Sequence, residues 1–175
     1  MKIYAISGGP GVGKTSVINE LKKLGFFVLE EAARIVREND KRFIGKSILE
    51  INKKEFQDEI YEYQQNQFSK IYNIKNEIVS DRGLGDTLAY YKLAGLEIHI
   101  DQLEYAKNFR YNKVFLLDFL NDYEKDDLRQ ESKEEQVRIQ ETIYYMYLEL
   151  SYIVIKVPNM ALTERVDFIK NIIRR

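Results

Sequence analysis

Residues 8–15 read Gly8-Gly9-Pro10-Gly11-Val12-Gly13-Lys14-Thr15, and a short apolar run, Lys2-Ile3-Tyr4-Ala5-Ile6-Ser7, leads into them. The spacing G-x-x-x-x-G-K-[ST] is that of a phosphate-binding loop, and it carries meaning when a strand enters it and a helix leaves it. Glycine permits positive φ and close approach of backbone to a phosphate. Pro10 fixes one φ angle and stiffens the loop. The backbone N–H groups from Gly11 to Thr15 are expected to form an anion nest that continues into a helix N-terminus, where unpaired N–H groups and the macrodipole favour negative charge. Lys14 should reach the β- and γ-phosphates, and the Thr15 hydroxyl should ligate Mg²⁺. Gly9, Pro10, Gly11, Val12, Gly13, Lys14, Thr15 and Ser16 are thus the candidate nucleotide-binding residues, with Ser16 at the α-phosphate. The expected ligands are ATP or GTP, and Mg²⁺.

Composition narrows the setting. The chain has 175 residues, which favours one domain with a full core, and we expect a single unit over 1–175. A net charge of -1 provides no global field to attract nucleic acid, so no nucleic-acid partner is expected. There is no cysteine, hence no disulfide framework and no cysteine metal site. No apolar run approaches membrane-spanning length, and the N-terminus enters the first strand directly. A cytoplasmic protein with no membrane partner is the expectation.

Periodicity sets the element order. Strands are expected at Lys2–Ser7, Phe26–Leu29, Glu77–Ser80, Lys113–Leu117 and Tyr152–Val157. Helices are expected from the loop to Leu24, at Glu30–Glu38, Lys53–Tyr72, Leu84–Leu93 and about Asp101–Asn108, then around Ile139–Leu150 and Leu162–Ile173. Gly25 supplies a C-terminal stop for the first helix. Apolar strands alternating with amphipathic helices indicate an α/β fold with a mainly parallel sheet. Such sheets bind ligands outside the carboxyl ends of their strands, where Glu31, Asp81, Asp118 and Pro158 follow strands.

The class of nucleotide protein follows from what the chain lacks. No N-K-x-D guanine-reading motif is present, because Asn112-Lys113 is followed by Val114-Phe115. No apolar strand ends in an Asp-Glu pair of the kind used by motor ATPases. A small-molecule kinase remains, which must hold an acceptor hydroxyl in line with the γ-phosphate and neutralise the transferring charge. A nucleotide-hydrolysing regulatory switch without a small acceptor is the alternative. A kinase needs an enclosed acceptor cavity beside Asp81 and Glu31, whereas a switch needs an exposed surface near the γ-phosphate.

The chain resembles the NadR-like group of P-loop ATPases and kinases. The resemblance rests on the loop, on Glu31-Ala32-Ala33-Arg34, and on Ser80-Asp81-Arg82-Gly83-Leu84-Gly85-Asp86-Thr87-Leu88-Ala89-Tyr90-Tyr91. It continues through Arg110–Phe115 and Arg129-Gln130-Glu131 to Val157-Pro158 and Glu164-Arg165-Val166. It implies a P-loop NTPase fold with five parallel strands flanked by helices and a helical lid segment, as in thymidylate and deoxynucleoside kinases. Strand three then lies beside strand one.

That strand order places Asp81 next to Lys14 and Thr15. There it holds Mg²⁺ through water or accepts the substrate proton, unless it only caps the following turn. Arg82 binds phosphate or acceptor, or forms a surface ion pair. Glu31 stands where related nucleoside kinases place a general base, or offsets a helix dipole; Arg34, one turn on, reads as its ion-pair partner. Asp86 is either functional or a helix cap. Arg129 is the lid candidate, with Arg138 behind it. Pro158 and Asn159 shape the adenine-side loop. Gln57, Gln64 and Gln67 either read a base or amide in the acceptor pocket or, as the favoured reading, are simply exposed, and the tyrosines at Tyr144–Tyr147 read as packing rather than as a stacking platform.

Overall fold

The strands form where short runs rich in Ile, Val, Phe and Leu are bounded by turn residues. In the computed structural model, which describes residues 2–47, 49–71, 73–120 and 132–174, they are β1 (Ile3–Ser7), β2 (Phe27–Leu29), β3 (Ile78–Asp81), β4 (Lys113–Leu117) and β5 (Val154–Val157). All pair in parallel in the order β2-β3-β1-β4-β5. The inner strands β1 and β3 are buried at every residue, whereas the edge strands β2 and β5 are partly exposed. Continuous burial is what a parallel sheet covered on both faces demands.

Seven described helices cover the sheet: α1 (Lys14–Lys23), α2 (Ala32–Asn39), α3 (Lys53–Ser69), α4 (Leu84–Leu93), α5 (Ile100–Phe109), α6 (Lys133–Glu149) and α7 (Leu162–Ile173). Successive strand residues point to opposite faces. Ile3, Ala5, Val114 and Leu116 pack with α3, α4 and α6. Tyr4, Ile6, Phe115 and Leu117 pack with α1 and α7. A third, smaller core joins Val36 of α2 and Phe43 to Phe56 and Ile60 of α3. Among the described residues, no helix is long and apolar enough to cross a membrane.

The expected P-loop α/β architecture, including β3 beside β1, is present. Some boundaries move. α3 ends at Ser69 rather than Tyr72. β5 begins at Val154 rather than Tyr152, because Ser151 adopts a positive φ of 61° and turns the chain just before it. Tyr152 is then buried against Tyr111 and Tyr147. α2 starts at Ala32, which leaves Glu31 outside the helix as its N-cap residue. The charged lid segment, including Arg129, lies outside the described residues.

Candidate functional site

The loop after β1 turns through three glycines at positive φ, Gly8, Gly11 and Gly13. At Gly8 a Cβ would lie 3.0 Å from Val12 Cγ2 and 3.1 Å from the Leu117 carbonyl, so both conformation and space require glycine there. Lys14 is buried in the first turn of α1, and its Nζ donates to the carbonyls of Gly8 at 2.8 Å and Gly9 at 2.6 Å. Burial, followed by the neighbouring charge of Arg82, lowers its pKa to about 7. Asp86, Asp81 and Glu31 pull in the opposite direction. Thr15 and Ser16 are exposed at the start of α1, open to a ligand.

Two side chains that the sequence reading gave no role hold the loop from outside. Gln140 of α6 accepts from Gly9 N at 2.6 Å and donates to the Leu117 carbonyl at 2.9 Å. Arg165 of α7 is buried and donates to the carbonyls of Val12 at 2.7 Å and Asp118 at 2.9 Å. Only the spacing between distant helices and the loop could have exposed these roles.

The second half of the site is the end of β3. Asp81 pairs in register with Ile6, one residue before the loop approach at Ser7. Its Oδ1 is buried without a hydrogen-bond partner. Burial, followed by the charge of Glu31, raises its pKa to about 6. Arg82 sits at a φ of 66°, a left-handed conformation unusual for a residue with a side chain. Its backbone is pinned by Arg82 N to the Ile6 carbonyl at 2.9 Å and by Ser80 Oγ to its own carbonyl at 2.6 Å. That turn aims the guanidinium into the cleft. Its Nε donates to Glu31 Oε1 at 2.6 Å, and its Nη1 lies 3.3 Å from the Gly8 carbonyl and 3.4 Å from Asp86 Oδ1. Burial alone would raise the pKa of Glu31, but the charge and hydrogen bond of Arg82 outweigh it, and the carboxyl lies below its usual range.

Asp86 is almost fully buried on α4 and accepts from Ser7 Oγ at 2.7 Å, Gly83 N at 2.9 Å and Tyr147 Oη at 2.5 Å. The adjacent glycines explain how α6 comes so close. A Cβ at Gly83 would lie 2.6 Å from Tyr147 Oη, and one at Gly85 would lie 2.5 Å from Tyr147 Cε1. Tyr147, expected only to pack, is therefore also a hydrogen-bond partner of the site.

A cavity of about 680 Å³ opens on the far side of Arg82 from the loop, walled by α2, α3 and α4. Glu31 and Arg82 form its charged end, and Phe56, Ile60 and Tyr90 are among its apolar walls. Gln64 also lines it and is buried, with Oε1 accepting from Thr87 Oγ1 at 2.8 Å, which corrects its reading as exposed. The register of α3 turns Gln64 inward together with Phe56, Ile60 and Phe68. Arg34 ion-pairs with Glu30 at 3.7 Å, not with Glu31, whose carboxylate is taken by Arg82.

The structure thus gathers Lys14, Glu31, Asp81 and Arg82 at one place. Pro158 lies apart from them, exposed just beyond β5, at the end of the sheet where Val157 accepts from Asp118 N at 2.9 Å. Arg138 is exposed on α6.

The same architecture occurs in solved kinases of low sequence identity. A deoxyadenosine kinase from M. mycoides with bound dATP superposes with a TM-score of 0.61 at 15% identity, over 99% of this chain and 100% of that one. A thymidylate kinase from Ehrlichia chaffeensis gives 0.64 at 13% identity, over 98% and 97%. A shikimate kinase from Acinetobacter baumannii in complex with shikimate gives 0.57 at 20% identity, over 99% and 92%. No curated protein matches the chain by sequence. A family model described as an AAA domain matches residues 3–165, a span from the first residue of β1 to Arg165 beneath the loop. The chain belongs to that AAA domain family.

Proposed function

We propose that the protein is a Mg²⁺-dependent kinase that transfers the γ-phosphate of ATP, or of GTP, to a hydroxyl of a nucleoside-like small molecule. One observation carries this reading: the phosphate loop and a cavity of about 680 Å³ meet at the same Arg82–Glu31 pair. A switch protein has no use for such a cavity. Two of the similar folds are named for deoxyadenosine and thymidylate, and the apolar slot with a buried amide suits a planar, hydrogen-bonding head group.

In this reading the residues of the loop, Gly9 to Ser16, bind the triphosphate through backbone N–H groups. Lys14 exchanges its two carbonyl partners for phosphate oxygens and regains full charge as it does so. Phosphoryl transfer depends mainly on positioning and on charge neutralisation, so Lys14 and Arg82 carry most of the electrostatic work. Arg82 lies between the loop and the cavity, where charge develops. Glu31 lines the cavity; one carboxylate oxygen holds Arg82, which leaves the other to receive the acceptor hydroxyl. Asp81 suits a divalent ion, since its buried Oδ1 has no other partner, and Thr15 supplies a free hydroxyl. Among the described residues no three metal-ligating side chains cluster. One carboxylate, one hydroxyl, water and phosphate form the donor set that Mg²⁺ takes in such sites. Held there, the ion would supply positive charge to offset that of the transferring phosphate. Arg129 would close over the phosphates, and Pro158 would border the base of the donor nucleotide.

Incubation with Mg-ATP or Mg-GTP and a panel of nucleosides, nicotinamide riboside and nucleoside monophosphates, read by mass spectrometry, tests the proposal. A phosphorylated product whose formation falls on Arg82→Ala supports it. Tight nucleotide binding with hydrolysis but no product across the panel overturns it in favour of a switch.

A further inference from the structure

Asp86 offers no free atom to a ligand, yet it is the most heavily bonded side chain in the site. Its Oδ1 accepts from Ser7 Oγ at 2.7 Å and faces Arg82 Nη1 at 3.4 Å. Its Oδ2 accepts from Gly83 N at 2.9 Å and Tyr147 Oη at 2.5 Å. These four partners come from the end of β1, the strained turn after β3, the N-terminus of α4, and α6. A helix cap needs only the Gly83 contact. The remaining three converge on the backbone and guanidinium that separate the phosphate loop from the cavity.

We infer that Asp86, supported by Tyr147, is a positioning residue: it holds Arg82 in the orientation that serves the phosphoryl transfer proposed above. Three features support this. Arg82 has an unfavourable positive φ, and such conformations persist only when the surroundings over-determine them. Its guanidinium is held by Glu31 before α2, by the Gly8 carbonyl and by Asp86 from α4, and Asp86 is the carboxylate that faces Nη1, so its loss leaves that end of the fork with the Gly8 carbonyl alone. Asp86 also binds Ser7, the last residue before the loop, so one carboxylate fixes the relation between the loop and Arg82. Both glycines beside Asp86 exist to admit Tyr147, whose hydroxyl ends on that same carboxylate. α6 thus braces the hub with Tyr147 and, two turns earlier, braces the loop with Gln140.

The inference rests on the kinase reading, and its test separates the two. Asp86→Asn keeps an oxygen for Gly83 N but can no longer hold Arg82 by charge, whereas Tyr147→Phe removes only the brace. With an acceptor in hand, Asp86→Asn should lower kcat about 10²-fold and Tyr147→Phe about tenfold, with KM for nucleotide within about twofold. A merely capping Asp86 would be rescued by asparagine, so an Asp86→Asn kcat within about twofold of wild type overturns the inference. A second readout needs no turnover: hydrogen exchange of the Arg82 Nη–H groups, the ones that face Asp86, followed by NMR on the full chain. We expect it to quicken about tenfold in Asp86→Asn while amide exchange in α4 stays as in wild type. Unchanged Arg82 Nη–H exchange overturns the inference whether or not an acceptor is found; absence of any phosphorylated product, with the Arg82 signal responding as expected, overturns only the kinase reading.

Discussion

The two sides of the cleft are built in different ways. The phosphate loop is one contiguous octapeptide whose glycines, lysine and threonine each have a local reason to be there. The facing side draws Glu31 from the N-cap of α2, Arg82 from a strained turn, Asp86 and Thr87 from α4, Gln64 from α3 and Tyr147 from α6. In the proposed reading, the donor half is a short contiguous segment, whereas the acceptor half is assembled by the fold. It also implies different failures: damage to the loop should abolish binding of phosphate, and damage to the facing side should spare binding but misplace the chemistry.

The sharpest break in that comparison is Lys14→Ala. It should reduce phosphoryl transfer by about 10³-fold and weaken triphosphate binding as well, read by product formation and calorimetry. Arg82→Lys keeps the charge but loses the planar fork that spans Glu31, Gly8 and Asp86. Turnover should fall about 10²-fold while nucleotide affinity stays within about twofold, and equal losses in both would blur the division between the sides.

Gly85→Ala tests the assembled side through stability. The new methyl would meet the Tyr147 ring at 2.5 Å, and the helix must shift or the ring must move. Overpacking of this kind costs about 2 kcal/mol, which urea unfolding followed by circular dichroism would register as a lower midpoint. The cost of Gly85→Ala should largely vanish when measured against Tyr147→Ala as the parent, since the obstacle is gone.

The mildest effect concerns pH. The pKa of Lys14 is lowered to about 7 in the free protein, chiefly by burial. Bound phosphate favours the charged amine, so the bound-state pKa lies higher. Binding then takes up a proton wherever the free lysine is neutral. Titration of Lys14 should leave affinity unchanged at acid pH, where the amine is already charged, and affinity should weaken as pH rises above 7, by at most about tenfold per pH unit. Calorimetry in buffers of different ionisation enthalpy would detect the uptake, and Lys14→Met should remove the part of the slope due to this group.

Much of the molecule was legible before any coordinates. The five strands, their mainly parallel sense and the loop between β1 and α1 follow from short apolar runs, periodic helices and one dense motif, while the place of β3 beside β1 came from the family resemblance. Glu31 and Arg82 were identified as separate candidates at strand ends, but their 2.6 Å pairing was not. Gln64 looked like one more polar residue on a long helix, because a helical stripe does not announce which of its edges faces a cavity. The roles of Gln140, Tyr147 and Arg165 had no local signature at all. Each acts across more than 60 residues of chain on a backbone group or a carboxylate, and nothing in its own neighbourhood encodes that partner.

The sequence by itself determined a triphosphate loop on an α/β sheet, because positive φ, close phosphate approach and alternating hydrophobic periods are properties of neighbouring residues. Only the tertiary structure decided which charges meet across the cleft, where the acceptor cavity opens, and why Gly83 and Gly85 must be glycine. Those outcomes depend on distances between elements far apart in the chain, and packing of α6 against α4 sets the last of them.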